Sequence, residues 1–283
     1  IPAEAIDERP ECFLLTEEGR RSYKNLSPTH PEVIAAAKRK VLAALEAHPD
    51  AELISVSKND FRGVDHSPPS MKLNERNEST AAAPLSLVNK VAEAVAAKHP
   101  DVLVSTLAYH DTVQPPKYMR PRENVVIRLC TDTAMWPHPF RPVEKTDSFR
   151  NALLGWNVIH ERIHIWDYSV NFGNYMKPHP SLYAVSRNLR FYRENGVTGV
   201  MVQGAYQSPG NEREAMRAWV IAKLLWDPSR DVWSLMQDFI RGCYGEAAPA
   251  IEAYNAMLFR SGQRNQDVTE RPDFVTDASA WFD

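Results

Sequence analysis

Leu53-Ile54-Ser55-Val56-Ser57-Lys58-Asn59-Asp60 decides how this chain is read. A β-type run passes straight into two adjacent polar side chains, an amide and a carboxylate. A strand with that ending suits the rim of an α/β barrel, where the strand gives rigidity and its C-terminal end gives chemistry. Upstream, Ser27-Pro28-Thr29-His30-Pro31-Glu32 opens a helix, with Ser27 or Thr29 able to cap it. Val33, Ile34, Ala37, Val41, Leu42 and Leu45 then recur at helical spacing up to His48-Pro49. Residues 1–30 read as irregular, with only 12–15 strand-like.

Downstream, Phe61 to about Ala83 reads as a long polar loop, of the kind that is functional or mobile. The pattern then predicts a helix over 84–98 and strands over 101–109 and 125–130. A helix over 147–160, a strand over 163–168, a helix over 182–194 and a strand over 197–202 follow. Further helices are predicted over 212–226, 231–241 and 246–260. Short β-branched strands alternating with helices argue a parallel sheet covered by helices.

Composition narrows the function. Hydrophobic residues are 43%, charged residues 24% and the net charge is -3, so neither a disordered chain nor a nucleic-acid binder is indicated. Lys38-Arg39-Lys40 lies within a helical pattern and reads as a solvated face. No apolar run is long enough to span a membrane. Cys12, Cys130 and Cys243 lack metal-ligand spacing and read as ordinary small side chains. No Gly-rich phosphate cradle follows any strand, and no cofactor is expected.

The strand ends carry the chemistry. The first offers Asn59 and Asp60; the second Tyr109, His110 and Asp111; the third Arg128 and Asp132. The fourth offers Trp166, Asp167 and Tyr168, and the fifth Gln203 and Tyr206. Hydrogen bonders for hydroxyls, aromatics for ring faces and carboxylates for acid–base work make up a carbohydrate site. Each has a plainer reading. A polar residue after a strand is often a turn former or helix cap. Arg128 is as readily the ion-pair partner of Asp60, Asp132 or Asp167 as a substrate ligand. Trp219, Trp226 and Trp233 lie on predicted helices and read as core. His110 and His138 have no partner at metal spacing, so no metal is expected.

Five motifs in order, Leu53–Asp60, Thr106–Tyr109, Val126–Cys130, Ile165–Phe172 and Gln203–Gly210, resemble one bacterial family. It is the barrel domain catalogued as domain of unknown function 4838, on which the family 163 glycoside hydrolases, endo-β-N-acetylglucosaminidases, are built. Arg9–Leu15 is similar to the family's opening block, and the likeness covers about residues 8–260, leaving 261–283 as a tail of the same single domain. It implies a TIM-type (β/α)8 barrel lacking its first strands in this chain. By that likeness Asp60 is the general acid/base and Asn59 holds a 2-acetamido group in a retaining, substrate-assisted reaction. Tyr109, His110, Arg128, Asp132, Trp166, Tyr168, Gln203 and Tyr206 line the sugar site, and Asp167 is the reserve carboxylate. The likeness also implies export to the periplasm or beyond. Two alternatives stay open. One is an α-glucuronidase-like enzyme pairing Asp60 with Asp167, with Arg128 at the uronate. The other is a catalytically silent glycan-binding barrel, suggested by Val202 where relatives commonly carry Glu.

Overall fold

The computed structural model describes residues 3–131, 147–207 and 210–264, with side chains up to 260. The chain divides into two compact units, Ile1–Cys130 with Asn151–His164, and Thr131–Arg150 with Ile165–Asp283.

The first unit opens with an antiparallel hairpin of β1 (Phe13–Leu15) and β2 (Arg21–Leu26). Gly19, at φ +76°, makes the turn. Only β1 was legible in sequence. Strand β2 is held by backbone pairing and by Arg21 donating to the Phe13 carbonyl at 2.7 Å. It is largely polar, so it carries little apolar alternation. Helix α1 (Pro31–Ala47) turns Val33, Val41 and Leu45 inward. His30 takes its N-cap position, not Ser27 or Thr29. Those hydroxyls go elsewhere, Ser27 Oγ to Asp65 at 2.7 Å and Thr29 Oγ1 to Ser70 at 2.9 Å.

Strand β3 (Leu53–Ser55) is followed, within the stretch expected to be loop, by helix α2 (Pro68–Asn77). Ser67-Pro68-Pro69 starts it, but its buried residues are Ser70, Asn74 and Asn77. An inward face without apolar residues has no hydrophobic period to read. Helix α3 (Ala82–Lys98) buries Leu85, Val88, Val91 and Val95. Strand β4 (Leu103–Ala108) pairs in parallel with β3 and with β5 (Val125–Cys130). Helix α4 (Asp147–Ile159) places Trp156 so that its indole N–H donates to the Val113 carbonyl at 2.7 Å. A Cβ on Gly155 would stand 2.8 Å from Pro115 Cγ. Gly155→Ala is therefore expected to lower stability by about 1 kcal/mol, overpacking outweighing alanine's better helix propensity. An unchanged urea midpoint would refute this.

With β6 (Ile163–Tyr168) and β7 (Gly199–Gln203), the strands are hydrogen-bonded in the order β3-β4-β5-β6-β7. The result is an α/β fold on a five-stranded parallel sheet. In the second unit β6 and β7 alternate with α5 (Leu182–Glu194) and are followed by α6 (Glu214–Trp226), α7 (Val232–Tyr244) and α8 (Ala248–Arg264). Asp231 caps α7, accepting from Ser234 N–H at 2.7 Å. Trp219 and Trp233 pack against Phe239 and Phe259. Trp226 is not core: it ends α6 and is 91% exposed.

Candidate functional site

Asn59 and Asp60 stand beyond the C-terminal end of β3, where the sequence put them. The Val56 N–H still pairs with the Ser105 carbonyl at 2.8 Å, and the chain leaves the sheet after it. Asn59 is clamped to β2: its backbone N–H donates to Asn25 Oδ1 at 3.0 Å, and its Nδ2 to the Lys24 carbonyl at 2.7 Å. The Asp60 side chain is 82% exposed, with Oδ1 3.7 Å from His110 Nε2. An apolar closed rim, which would favour an acid, does not surround it among the described residues. His110 begins the turn after β4 at φ +51°, and its ring lies 3.6 Å from that of Tyr109. A left-handed conformation at a non-glycine residue costs about 1 kcal/mol or more, and such outliers gather at functional sites.

Asp111 fixes the loop that carries this group. Its Oδ2 accepts from Gly63 N–H at 2.7 Å and from Lys58 Nζ at 3.1 Å. Burial pushes its carboxyl up, but the Gly63 N–H and the Lys58 ammonium outweigh that and hold it below the ordinary carboxylate range. Behind Asn59 lies a cavity of about 150 Å³ whose polar lining includes Asn25, Lys58, Asn59, Asp65 and Asp111. Asp60 is not part of its lining.

The second unit gathers aromatics and amides after β6 and β7. The Trp166 indole N–H donates to Gln203 Oε1 at 2.8 Å. Phe172 is the centre of a ring cluster, 5.8 Å from Tyr168, 5.9 Å from Tyr175 and 6.0 Å from Tyr206. Gln207 ties its edge, accepting from Tyr175 OH at 3.0 Å and donating to Tyr206 OH at 2.9 Å. Tyr206 is 69% exposed. Sequence reading named Trp166, Tyr168, Gln203 and Tyr206. It did not assign Phe172, Tyr175 or Gln207 to the site, because no periodicity marks a loop residue as the centre of a cluster.

Asp167 is fully buried and turned away from Trp166, as alternation along a strand requires. It accepts from Thr131 Oγ1 at 2.7 Å, Tyr168 N–H at 2.8 Å, Tyr192 OH at 2.9 Å and Asn188 Nδ2 at 3.3 Å. Burial raises its pKa against the pull of those donors. Arg128 is not among these partners. It stands near His164, whose pKa is lowered first by burial and then by Arg128. Asp132 lies outside the described residues.

The loop bearing Phe172 and Tyr175 is fastened by Arg217, which donates to Ser181 Oγ at 2.9 Å and to the His179 carbonyl at 3.1 Å. Burial, and then the Arg217 charge, push His179 down to about 3. A lowered histidine contributes stability that is present above the unfolded pKa of about 6.5 and is lost as pH falls toward the folded value. Because the residue keeps some surface, we expect a loss of about 1–2 kcal/mol between pH 7 and pH 5. His179→Gln should flatten that slope in urea titrations at both pH values. Parallel slopes for the two proteins would refute it.

The fold is that of an α/β protein whose candidate site residues stand beyond the C-terminal ends of strands. The chain belongs to the family described as a domain of unknown function, DUF4838, whose model matches residues 2–256. No curated protein matches it. Among the described residues no helix is long and apolar enough to cross a membrane.

Proposed function

We propose that this protein is a glycoside hydrolase on a barrel of the (β/α)8 type, a β-N-acetylglucosaminidase acting by a retaining, substrate-assisted route. The observation that carries the reading is the ring cluster of exposed Tyr206 with half-buried Phe172 and Tyr175, edged by Gln207, with Trp166 held on Gln203. Ring faces stack on the C–H faces of sugars, and fixed amides answer their hydroxyls. Asp60 is the acid. It protonates the glycosidic oxygen while the substrate's acetamido oxygen attacks the anomeric carbon. It then takes a proton from the water that opens the resulting ring, which returns the original configuration. Asn59, immobilised on Lys24, keeps Oδ1 and its second amide proton for the acetamido group.

Glycan release from an N-glycoprotein tests this. Asp60→Asn is expected to lower the rate by about 10²-fold or more with folding unchanged. Tyr206→Ala is expected to weaken glycan binding about threefold to tenfold, the worth of one aromatic contact. Equal release by wild type and Asp60→Asn would remove Asp60 from the chemistry. A silent glycan-binding barrel is the second reading, favoured by the open Asp60; it requires binding that Tyr206→Ala weakens and no release by the wild type. The uronate-releasing alternative gains no support, because its second carboxylate, Asp167, is shut away from solvent.

A further inference from the structure

Where the short turn Pro10–Cys12 meets the start of α1, three metal-ligating side chains converge. Cys12 is wholly buried. Its Sγ lies 3.6 Å from His30 Nδ1 and 3.7 Å from Glu32 Oε2. The ligand atoms of Glu11, Cys12 and His30 all lie within 4.8 Å of one another. On a tetrahedral zinc ion, a thiolate at about 2.3 Å and an imidazole nitrogen at about 2.0–2.1 Å stand about 3.5 Å apart, and a thiolate and a carboxylate oxygen nearly the same. The edge from the Cys12 sulfur to His30 Nδ1 matches that tetrahedron.

Charge points the same way. A thiol packed on an imidazole is common in cores, but here two carboxylates approach the same sulfur. Arg9 binds the other oxygen of Glu32, which leaves Oε2 toward the sulfur. The positive end of the α1 dipole opposes a cation, and the glutamates on both sides offset it.

We propose that Cys12, His30 and Glu11 form a site for a divalent cation of the zinc class, with Glu32 beside the sulfur as a supporting carboxylate. The metal displaces the thiol proton, and the thiolate, the imidazole and the Glu11 carboxylate hold it, with water in the fourth position. It ties the N-terminal turn to α1. Residues 12, 30 and 32 are too widely spaced for a sequence motif, so the cysteine read as an ordinary core residue.

The test uses the full chain, stripped with a chelator and titrated with cobalt(II), then zinc(II). The expected result is a near-ultraviolet thiolate-to-cobalt charge-transfer band that saturates at one equivalent and disappears when zinc is added. Zinc should also shield Cys12, and not Cys130 or Cys243, from alkylation, as mapped on peptides. Cys12→Ser should abolish the band, and Glu32→Gln should weaken cobalt affinity about tenfold. No band on the wild type, or a band that persists in Cys12→Ser, would overturn the proposal. If Cys12→Ser does not fold, the alkylation map of the wild type decides alone: shielding at Cys12 upholds the site, and shielding elsewhere or nowhere overturns it.

Discussion

Asp65→Ala is expected to cost about 3–5 kcal/mol and so to remove a large share of the stability of a domain this size. The carboxylate is buried and accepts from the Leu15 N–H at 2.9 Å, Ser27 Oγ at 2.7 Å, Ser67 Oγ at 2.6 Å and Ser70 Oγ at 2.7 Å. One side chain thus joins β1, the entry to α1 and the start of α2. Truncation strands two N–H groups, of Leu15 and Ser67, and three hydroxyls, each costing about 1–3 kcal/mol, less what the hydroxyls recover by turning to other acceptors. Asp65→Asn should lose about half as much, since it keeps one oxygen and points N–H groups at donors. Burial pushes this carboxyl up, but the Ser67 and Ser70 hydroxyls, the Leu15 N–H and Ser27 overcome it, so the net shift is downward. Its contribution is therefore present above the unfolded value of about 3.9 and is lost as pH falls through the lower folded one. The gap between wild type and Asp65→Asn in urea midpoint should hold from pH 7 to pH 5 and narrow below pH 4. A gap that ignores acid would show that the charge is not what these donors require.

Asp167 should behave in the opposite sense. Asp167→Ala strands the Thr131 and Tyr192 hydroxyls, the Tyr168 N–H and the Asn188 amide and leaves a cavity, for an expected loss of about 4 kcal/mol. Asp167→Asn should cost little at pH 7. Burial raises this carboxyl, so its stabilising contribution is full below about pH 3.9 and is lost as pH rises through the folded value. The amide keeps the shape without the charge that burial penalises. Urea titration of the three proteins at pH 7 checks it. If Asn proved as damaging as Ala, the ionised form would be the one the fold requires.

Sequence by itself determined the elements that run on apolar period. The β-branched runs at 53–55, 125–130 and 163–168 and the helical stripes of α1 and α3 are all where the pattern put them. Burial of a face writes that face into the chain. It also put Asn59, Asp60, His110 and Tyr206 beyond their strands, because strand ends are legible. A further signal was present in the alternation of β6. Asp167 shares a strand face with Ile163 and Ile165, both buried, and parity alone placed it away from Trp166.

Only the tertiary structure decided the rest. Strand β2 and helix α2 are polar elements held by pairing and by hydroxyl bonds, and neither leaves a hydrophobic period. Asp65 reaches Leu15 across fifty residues and Cys12 meets His30 across eighteen. Such contacts are set by how elements pack, not by spacing. Trp226 carries the composition of a core residue and lies in water, because the last position of a helix need not face its partner. Local pattern fixes which residues turn inward; only packing chooses which inward-turned polar groups meet.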